Sequence, residues 1–242
     1  MIKLAYSTEL LEKNIKRYIK WEPEKYPNLL ILGNTGSGKS YFLRLLVARI
    51  VKHIPDSRLY ICDYKNEFIG EPAPGFYGYK NVLAGFEDFY KVFDERLSSG
   101  NPDRSFSLLL IDEYISWLSS LEKKDAEEIK KRMATLLFMV RSLNMHVVLG
   151  CQRAMAENFS YGSRDCLNVT FLGSPSKESI RSFATGDEAE MITPCTQGHG
   201  FVLFEGRPPK AITVPSYNAE AVQSLIIEKL KSQESKDVFG TG

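Results

Sequence analysis

The chain has 242 residues, 43% of them hydrophobic and 25% charged, and its 31 basic and 30 acidic residues leave a formal net charge of +1. This is ordinary globular composition, and the length suits one α/β domain with short appendages. A charge so close to neutral does not by itself indicate a nucleic-acid partner, although a ring can concentrate basic residues at a pore.

Membrane-spanning and metal-binding patterns are missing from the sequence. No apolar run approaches the roughly 18 residues that a membrane-spanning helix needs. The four cysteines form no C-x-x-C pair, and no histidine stands at zinc-ligand spacing. Two of them, Cys62 and Cys151, lie in apolar runs, which indicates buried thiols in a reducing cytosol. We therefore expect a cytoplasmic chain without an intrinsic membrane segment, joined to a membrane only through a partner.

The N-terminal segment and the body of the chain show different patterns. Residues 8–20 have apolar side chains near helical spacing, with Thr8 as the N-cap, and are predicted to form an amphipathic helix. From residue 28 onward, short apolar runs alternate with helical patterns. The predicted strands cover residues 28–33, 58–63, 105–112, 145–151 and 168–173, followed by two late strands at 199–206 and 210–216. The predicted helices cover residues 39–53, 86–98, 121–140, 177–183 and 217–232.

Short apolar strands that alternate with helices are typical of an α/β fold, in which a mostly parallel sheet is covered by helices on both faces. The late strands are expected to be antiparallel at one edge of this sheet. We expect one domain over residues 27–233, preceded by an N-terminal helical extension at 1–26 and followed by a flexible tail at 234–242.

The segment GNTGSGKS at 33–40 follows an apolar strand and opens a helix, the context that the phosphate-binding pattern G-x-x-x-x-G-K-[ST] requires. Its glycines allow backbone N–H groups to converge on a β-phosphate, and the helix N-terminus adds a partial positive charge. Lys39 is expected to reach the β- and γ-phosphates of ATP, and Ser40 to coordinate Mg²⁺. A glycine-rich turn with a solvated lysine is the alternative. The predicted nucleotide-binding residues are Gly33, Asn34, Thr35, Gly36, Ser37, Gly38, Lys39, Ser40 and Tyr41.

An acidic pair ends the most apolar strand, SLLLIDE. In a doubly wound sheet, the carboxyl end of this strand lies beside the phosphate loop. Asp112 is therefore predicted to hold Mg²⁺ through a water molecule, and Glu113 to polarise the water that attacks ATP. The alternative for Glu113 is a surface carboxylate at a strand end, but no better candidate for the base adjoins Asp112.

Gln152 and Arg153 follow the fourth predicted strand, MHVVLGC. An amide at this strand end points toward the same crevice as the phosphate loop, where it could sense a γ-phosphate. A polar residue that caps the strand end explains the spacing equally well.

Taken in order, these motifs resemble those of the FtsK/SpoIIIE/HerA group of P-loop motors over residues 27–215. The resemblance is carried by ILGNTGSGKSYFLRLL, by YICDYKNEF, whose strand ends in Asp-x-Lys as in that group, by LLLIDE and by VRSLNMHVVLGCQR. The chain departs from the group at Cys151 and Ala154, where Thr and Pro are usual, and at Asn66, where Gly is frequent.

The resemblance implies a RecA-like ATPase that assembles as a hexameric ring and translocates double-stranded DNA, as in plasmid, phage or integrative-element transfer or segregation. A relaxase or a membrane protein is a further candidate partner. The resemblance also implies that Gln152 senses the γ-phosphate and that Arg141 reaches into the ATP of the neighbouring subunit. Arg141 precedes a strand and so lies at the sheet edge opposite its own nucleotide. A surface arginine that caps the preceding helix is the alternative.

Two other functions remain open from the sequence. A related motor could move a polypeptide, as secretion motors do, or a nucleotide-gated adaptor could recruit a partner without sustained pumping. A small-molecule kinase would also use the phosphate loop, but it would not explain Glu113, Arg141 and Gln152 together. Stimulation of ATP hydrolysis by double-stranded DNA is the observation that distinguishes these functions.

Overall fold

The computed structural model describes residues 1–239, with side chains described through residue 233. The strands of this part of the chain are β1 (Ile2–Ser7), β2 (Tyr18–Trp21), β3 (Asn28–Gly33), β4 (Arg58–Asp63), β5 (Phe76–Gly78), β6 (Ser107–Asp112), β7 (Met145–Cys151), β8 (Asn168–Leu172), β9 (His199–Leu203) and β10 (Lys210–Thr213). The helices are α1 (Thr8–Glu12), α2 (Lys39–His53), α3 (Val82–Ser98), α4 (Tyr114–Ser119), α5 (Lys123–Met139), α6 (Lys177–Phe183), α7 (Asp187–Met191) and α8 (Ala219–Phe239). Short 3₁₀ turns cover Tyr79–Asn81, Val140–Leu143, Ala156–Asn158 and Ser160–Cys166.

The strands form a single mixed sheet in the order β2-β1-β10-β9-β8-β3-β7-β6-β4-β5. The six strands from β8 to β5 pair in parallel. Beyond β8, the strands β9, β10, β1 and β2 extend the sheet by antiparallel pairs. The prediction of a mostly parallel sheet with antiparallel strands at one edge is therefore confirmed.

Strand β3 shows why the central strands are continuously apolar. All six of its residues are buried, because helices cover both faces of the sheet. Successive side chains of a strand point to opposite faces. Leu30 and Leu32 pack into the core beneath α3, α4 and α5, whereas Leu29 and Ile31 pack into the core beneath α2 and α8. The phosphate loop thus follows directly from a strand that is buried on both faces.

The N-terminal segment differs from its prediction. The helix predicted for residues 8–20 is only five residues long; Asn14, with a positive φ of 60°, then turns the chain, and β2 pairs antiparallel with β1. The helical spacing does not correspond to a buried face, since Ile15 is 51% exposed. Pairing of β1 with the open edge of β10 and burial of Trp21 outweigh local helix preference. The segment is therefore not a helical extension: it adds two strands to the sheet.

The other predicted helices are present in the predicted order with shifted ends, whereas α4 and α7 were not predicted. The helix predicted for 86–98 begins earlier, at Val82, and the terminal helix predicted to end at residue 232 continues to Phe239. The predicted flexible tail at 234–242 therefore begins within helical backbone, and its residues 240–242 lie outside the described part. The domain boundaries after residues 26 and 233 stay a prediction. Among the helices of residues 1–239, none combines the length and the apolar character needed to span a membrane.

Replacement of Trp21 tests whether the N-terminal strands belong to the core. The indole is fully buried, donates from Nε1 to the carbonyl of Tyr26, and packs edge-on against His146 with ring centroids 5.9 Å apart. We expect Trp21→Ala to lower the free energy of unfolding by about 3–5 kcal/mol, as for other large buried aromatic side chains. Urea unfolding followed by circular dichroism measures this change. Ile15→Ala is the control in the same segment and should change the value by less than about 0.5 kcal/mol; equal effects would contradict the assignment.

Candidate functional site

The order of the parallel strands brings most of the predicted site residues to one edge of the sheet. Strand β7 lies between β3 and β6, and both pairings are parallel. The carboxyl ends of the three strands therefore meet, as in other open α/β sheets. The loop at 33–40 follows β3, Asp112 ends β6, and Gln152 follows β7.

The loop at 33–40 forms the tight turn that its glycines predict. Gly36 and Gly38 have positive φ angles of 81° and 94°, and Gly38 immediately precedes the first turn of α2. Asn34 fixes the loop to the neighbouring strand end, because its amide donates to the carbonyl of Ser174 at 2.6 Å. The first N–H groups of α2 consequently lie at this edge, where a helix N-terminus attracts anions.

A buried ion cluster joins this loop to the acidic pair. Lys39 Nζ contacts Oδ1 of Asp112 and lies 3.1 Å from Oε1 of Glu113. Ser40 Oγ donates to Oδ2 of Asp112 at 3.1 Å. Lys39 is only 6% exposed and Glu113 only 2%. Gly150 on β7 leaves room for the cluster, since a Cβ at this position would lie 2.5 Å from Oδ1 of Asp112.

Glu113 has a backbone conformation that turns its carboxylate into the site. Its φ of 61° and ψ of 41° are left-handed, which is uncommon for a residue other than glycine and often marks functional sites. Oε1 accepts hydrogen bonds from Lys65 Nζ at 2.9 Å and from Gln152 Nε2 at 3.3 Å. Gln152 is bonded in turn to the phosphate loop, because Thr35 Oγ1 donates to its Oε1 at 3.3 Å. The phosphate loop, the acidic pair and Gln152 thus form one connected polar group.

The charges in this group stabilise one another. Burial alone would lower the pKa of Lys39, but the carboxylates of Asp112 and Glu113 outweigh it and raise the pKa above its ordinary value. Burial alone would raise the pKa of Glu113, but Lys39, with hydrogen bonds from Lys65 and Gln152, holds that pKa below its ordinary value. Lys39 is therefore a cation and Glu113 a carboxylate at neutral pH.

Segments from the antiparallel edge contact the other side of the phosphate loop. The N–H of Gly198 donates to the carbonyl of Ser37 at 3.1 Å, and the N–H of Val214 donates to the carbonyl of Gly198 at 2.8 Å. Further along the chain, Tyr217 stacks on Tyr41 with ring centroids 3.9 Å apart. The N–H of Tyr217 also donates to the Tyr41 hydroxyl at 2.8 Å, and its hydroxyl donates to the Tyr41 carbonyl at 2.9 Å.

Arg141 lies apart from the other predicted site residues. It belongs to the 3₁₀ turn Val140–Leu143, which precedes β7 and so lies at the sheet edge opposite the phosphate loop. Its side chain is exposed, and its Nε donates to the carbonyl of Glu24 at 3.1 Å. Arg153, directly after Gln152, is also exposed. Within one chain, Arg141 is therefore not brought to the residues that surround the phosphate loop.

The residues predicted from the sequence omit two contributors to this site. Lys65 belongs to the Asp-x-Lys motif, but its spacing alone does not indicate a contact with Glu113. The contact becomes evident from the register of β4 and β6, which aligns Asp63 with Asp112. Because Lys65 follows Asp63 by two residues, this register brings it close to Glu113. Tyr217 follows the last strand, and no sequence pattern indicates its contact with the phosphate-loop helix.

Just under half of the chain matches a family model. The model described as "Helicase HerA, central domain" (DUF87) matches residues 26–144. The FtsK domain-containing protein YdcQ of Bacillus subtilis (strain 168) is 28% identical, in an alignment that covers 62% of this chain and 35% of YdcQ. The chain thus spans about a third of the length of this relative.

Solved structures of other proteins share the fold. The pCW3 conjugation coupling protein TcpA, in a monomer form with ATPγS, has a TM-score of 0.69 and 17% identity, over 88% of this chain and 67% of TcpA. EccC (ATPases 2 and 3) of Thermomonospora curvata, in complex with a signal sequence peptide, has a TM-score of 0.68 and 17% identity, over 90% of this chain and 41% of EccC. These similarities confirm the predicted RecA-like architecture. With the family match and the relative YdcQ, they support the predicted similarity of this chain to FtsK/HerA-like P-loop ATPases.

Proposed function

We propose that this chain binds ATP with Mg²⁺, hydrolyses the ATP, and uses the reaction to translocate double-stranded DNA as a homo-oligomeric ring, most simply a hexamer. The observation that carries the proposal is the connected polar group at one sheet edge. It combines a phosphate-binding loop, the Lys39 cation, a carboxylate pair and the Gln152 amide. These are the parts that phosphoryl transfer to water requires.

Ser40 and Asp112 have the chemistry of a magnesium site. Their Oγ and Oδ2 atoms lie 3.1 Å apart, and Mg²⁺ prefers oxygen ligands, only one or two of which come from the protein at nucleotide sites. Ser40 would bind the ion directly, and Asp112 would bind it through water. The ion would neutralise the negative charge that develops on the phosphates.

The strand order indicates how a bound ATP molecule would be oriented relative to β3. Asp112, Glu113 and Gln152 follow β6 and β7, on one side of β3, so the γ-phosphate end of ATP faces that side. The nucleoside end then faces the other side, where segments that flank β9 and β10 contact the loop. There the stacked rings of Tyr41 and Tyr217 offer an aromatic surface of the kind that binds a flat base.

Each polar side chain of the group then has one task. Lys39 binds the β- and γ-phosphates, and Glu113 accepts a proton from the attacking water. Gln152 contacts both Glu113 and Thr35 of the phosphate loop. It is therefore suited to sense the γ-phosphate and to relay its presence to the segment that follows β7.

Replacement of Glu113 tests the hydrolytic role. Glu113→Gln should lower kcat by on the order of 10²–10⁴-fold with little change in ATP affinity, because the amide keeps the shape of the side chain but cannot accept the proton. Phosphate release measures kcat, and titration with a fluorescent non-hydrolysable ATP analogue measures affinity. Lys39→Ala is the comparison and should weaken binding itself, since it removes a charge that faces the phosphates. Near wild-type turnover by Glu113→Gln would mean that the base lies elsewhere.

Double-stranded DNA is the first candidate for the substrate, on the basis of the similar proteins. The matching family model is described as the central domain of the helicase HerA, and TcpA is described as a conjugation coupling protein. A polypeptide is the second candidate, because the similar EccC structure contains a signal sequence peptide. Because the net charge is near neutral, DNA binding would depend on local basic surfaces that contact the phosphates.

Stimulation of the ATPase separates the two substrates. We expect duplex DNA to raise the hydrolysis rate, with little dependence on base sequence and with a marked loss between low and physiological salt, because phosphate contacts release counterions. The rate is measured with duplexes of unrelated sequence, at two salt concentrations, beside an unfolded polypeptide. Glu113→Gln provides the background of phosphate release. Stimulation by the polypeptide and indifference to DNA would favour the second candidate.

Arg141 supplies the argument for a ring. It lies at the edge of the sheet opposite its own phosphate loop, where a head-to-tail neighbour would present its nucleotide. Arginine supplied in trans stabilises the charge of the transition state and contributes roughly 10³–10⁵-fold in rate. The contact of Arg141 Nε with the Glu24 carbonyl orients the side chain at this exposed edge.

Subunit mixing tests the role of Arg141. Arg141→Ala and Glu113→Gln should each be nearly inactive alone, and a mixture should recover part of the activity, because some interfaces then join an intact Glu113 to an intact Arg141. Co-assembly is verified by cross-linking before the rates are compared. Arg181→Ala, which removes another exposed arginine, is the matched control and should stay active. Co-assembled but inactive mixtures, or full activity of Arg141→Ala alone, would contradict the role in trans.

A further inference from the structure

We infer that Lys65 is a positioning residue for Glu113, which fixes one carboxylate oxygen so that the other can accept a proton from water. The inference rests on the proposed hydrolytic function. It assigns a role to the Asp-x-Lys motif at the end of β4, which the proposed function leaves without one.

The two carboxylate oxygens of Glu113 have different surroundings. Oε1 faces three donors: Lys65 Nζ at 2.9 Å, Lys39 Nζ at 3.1 Å and Gln152 Nε2 at 3.3 Å. Oε2 has one long contact among the described side chains, 3.4 Å from Ser116 Oγ. A carboxylate oxygen offers about two lone-pair sites, so Oε1 is saturated. A proton from water would therefore pass to Oε2.

Lys65 and Lys39 approach Glu113 from opposite sides. Lys39 follows β3, whereas Lys65 follows β4, which pairs with β6 on the side away from β7. In the proposed function, Lys39 also binds the phosphates, so its charge is shared between them and the acidic pair. Lys65 is the cation that stays with Oε1. Without it, a carboxylate that is only 2% exposed would lose a charged partner and its fixed orientation.

The backbone around Lys65 is held from two sides. The buried carboxylate of Asp63 accepts hydrogen bonds from the N–H of Lys65 at 3.1 Å and from the N–H of Phe68 at 2.7 Å. From helix α2, Arg44 Nε donates to the carbonyl of Phe68 at 2.7 Å. Between them, Asn66 has a positive φ of 59°, a conformation that asparagine tolerates better than most residues. The side chain of Lys65 therefore starts from a fixed point.

The motif thus divides its task between two residues. Asp63 fixes the loop, and Lys65 fixes the Glu113 carboxylate. The Lys65 side chain is 42% exposed, so solvent screens its ion pair and limits the contribution of the pair to folding stability. Loss of Lys65 should consequently affect the orientation of Glu113 far more than the stability of the fold.

Three lysine variants test the inference. Lys65→Met removes the ammonium group and keeps an unbranched stem; it should lower kcat by on the order of 10²-fold, the cost of a misplaced catalytic group, with unchanged affinity for a non-hydrolysable ATP analogue. Lys65→Arg retains the cation and should restore most of the activity. Lys80→Met removes another exposed lysine and should behave as wild type. Urea unfolding of all three should match the wild-type midpoint.

A double variant tests whether Lys65 acts through Glu113. In the Glu113→Gln background, Lys65→Met should lower kcat no further. Wild-type kcat in Lys65→Met, equal losses in Lys65→Met and Lys65→Arg, or additive losses in the double variant would overturn the inference and leave the Glu113 assignment intact. A wild-type chain that does not hydrolyse ATP would contradict the proposed function, and this inference with it.

Discussion

The parallel pairing of β3, β7 and β6 is the constraint on which the rest of the site depends. Because the three strands run in the same direction, their carboxyl ends meet at one edge, and residues far apart in the chain become neighbours. The glycine at position 150 is part of the same constraint, since the central strand must leave room for a carboxylate beside it. The buried ion cluster therefore follows from the topology of the sheet.

Burial of the charges in this cluster has a free-energy cost. Charges that leave water pay a desolvation penalty, which is offset only when each charge finds a partner of good geometry. Here one lysine faces two carboxylates, and a second lysine, a serine and an amide complete the partners. In the proposed function, a triphosphate would be a further negative partner for Lys39, whose charge the phosphates and the acidic pair would then share.

The sequence was informative wherever the determining contacts are local. The phosphate loop could be predicted because eight consecutive residues carry its geometry, and the central strands because burial on both faces produces a continuous apolar run. The N-terminal strands could not, since the partner of Tyr6 is Thr213, at the other end of the chain. Lys65 and Tyr217 were missed for the same reason: their contacts exist only after the sheet has formed. The partner predicted for Arg141 is another subunit, which no pattern within one chain specifies.

Strand β7 connects Arg141 at one edge of the sheet to Gln152 at the other. Its seven residues are all buried, and at about 3.3 Å per residue it spans roughly 23 Å. Arg141 and Gln152 stand just before and just after it, so in the proposed ring one end of the strand would touch the nucleotide of the next subunit and the other end its own. Because β7 is paired with β3 and β6 along both sides, its two ends would move together. In the proposed ring, β7 would then connect the nucleotide site of each subunit to that of its neighbour. The order in which the subunits hydrolyse ATP would follow from their arrangement around the ring.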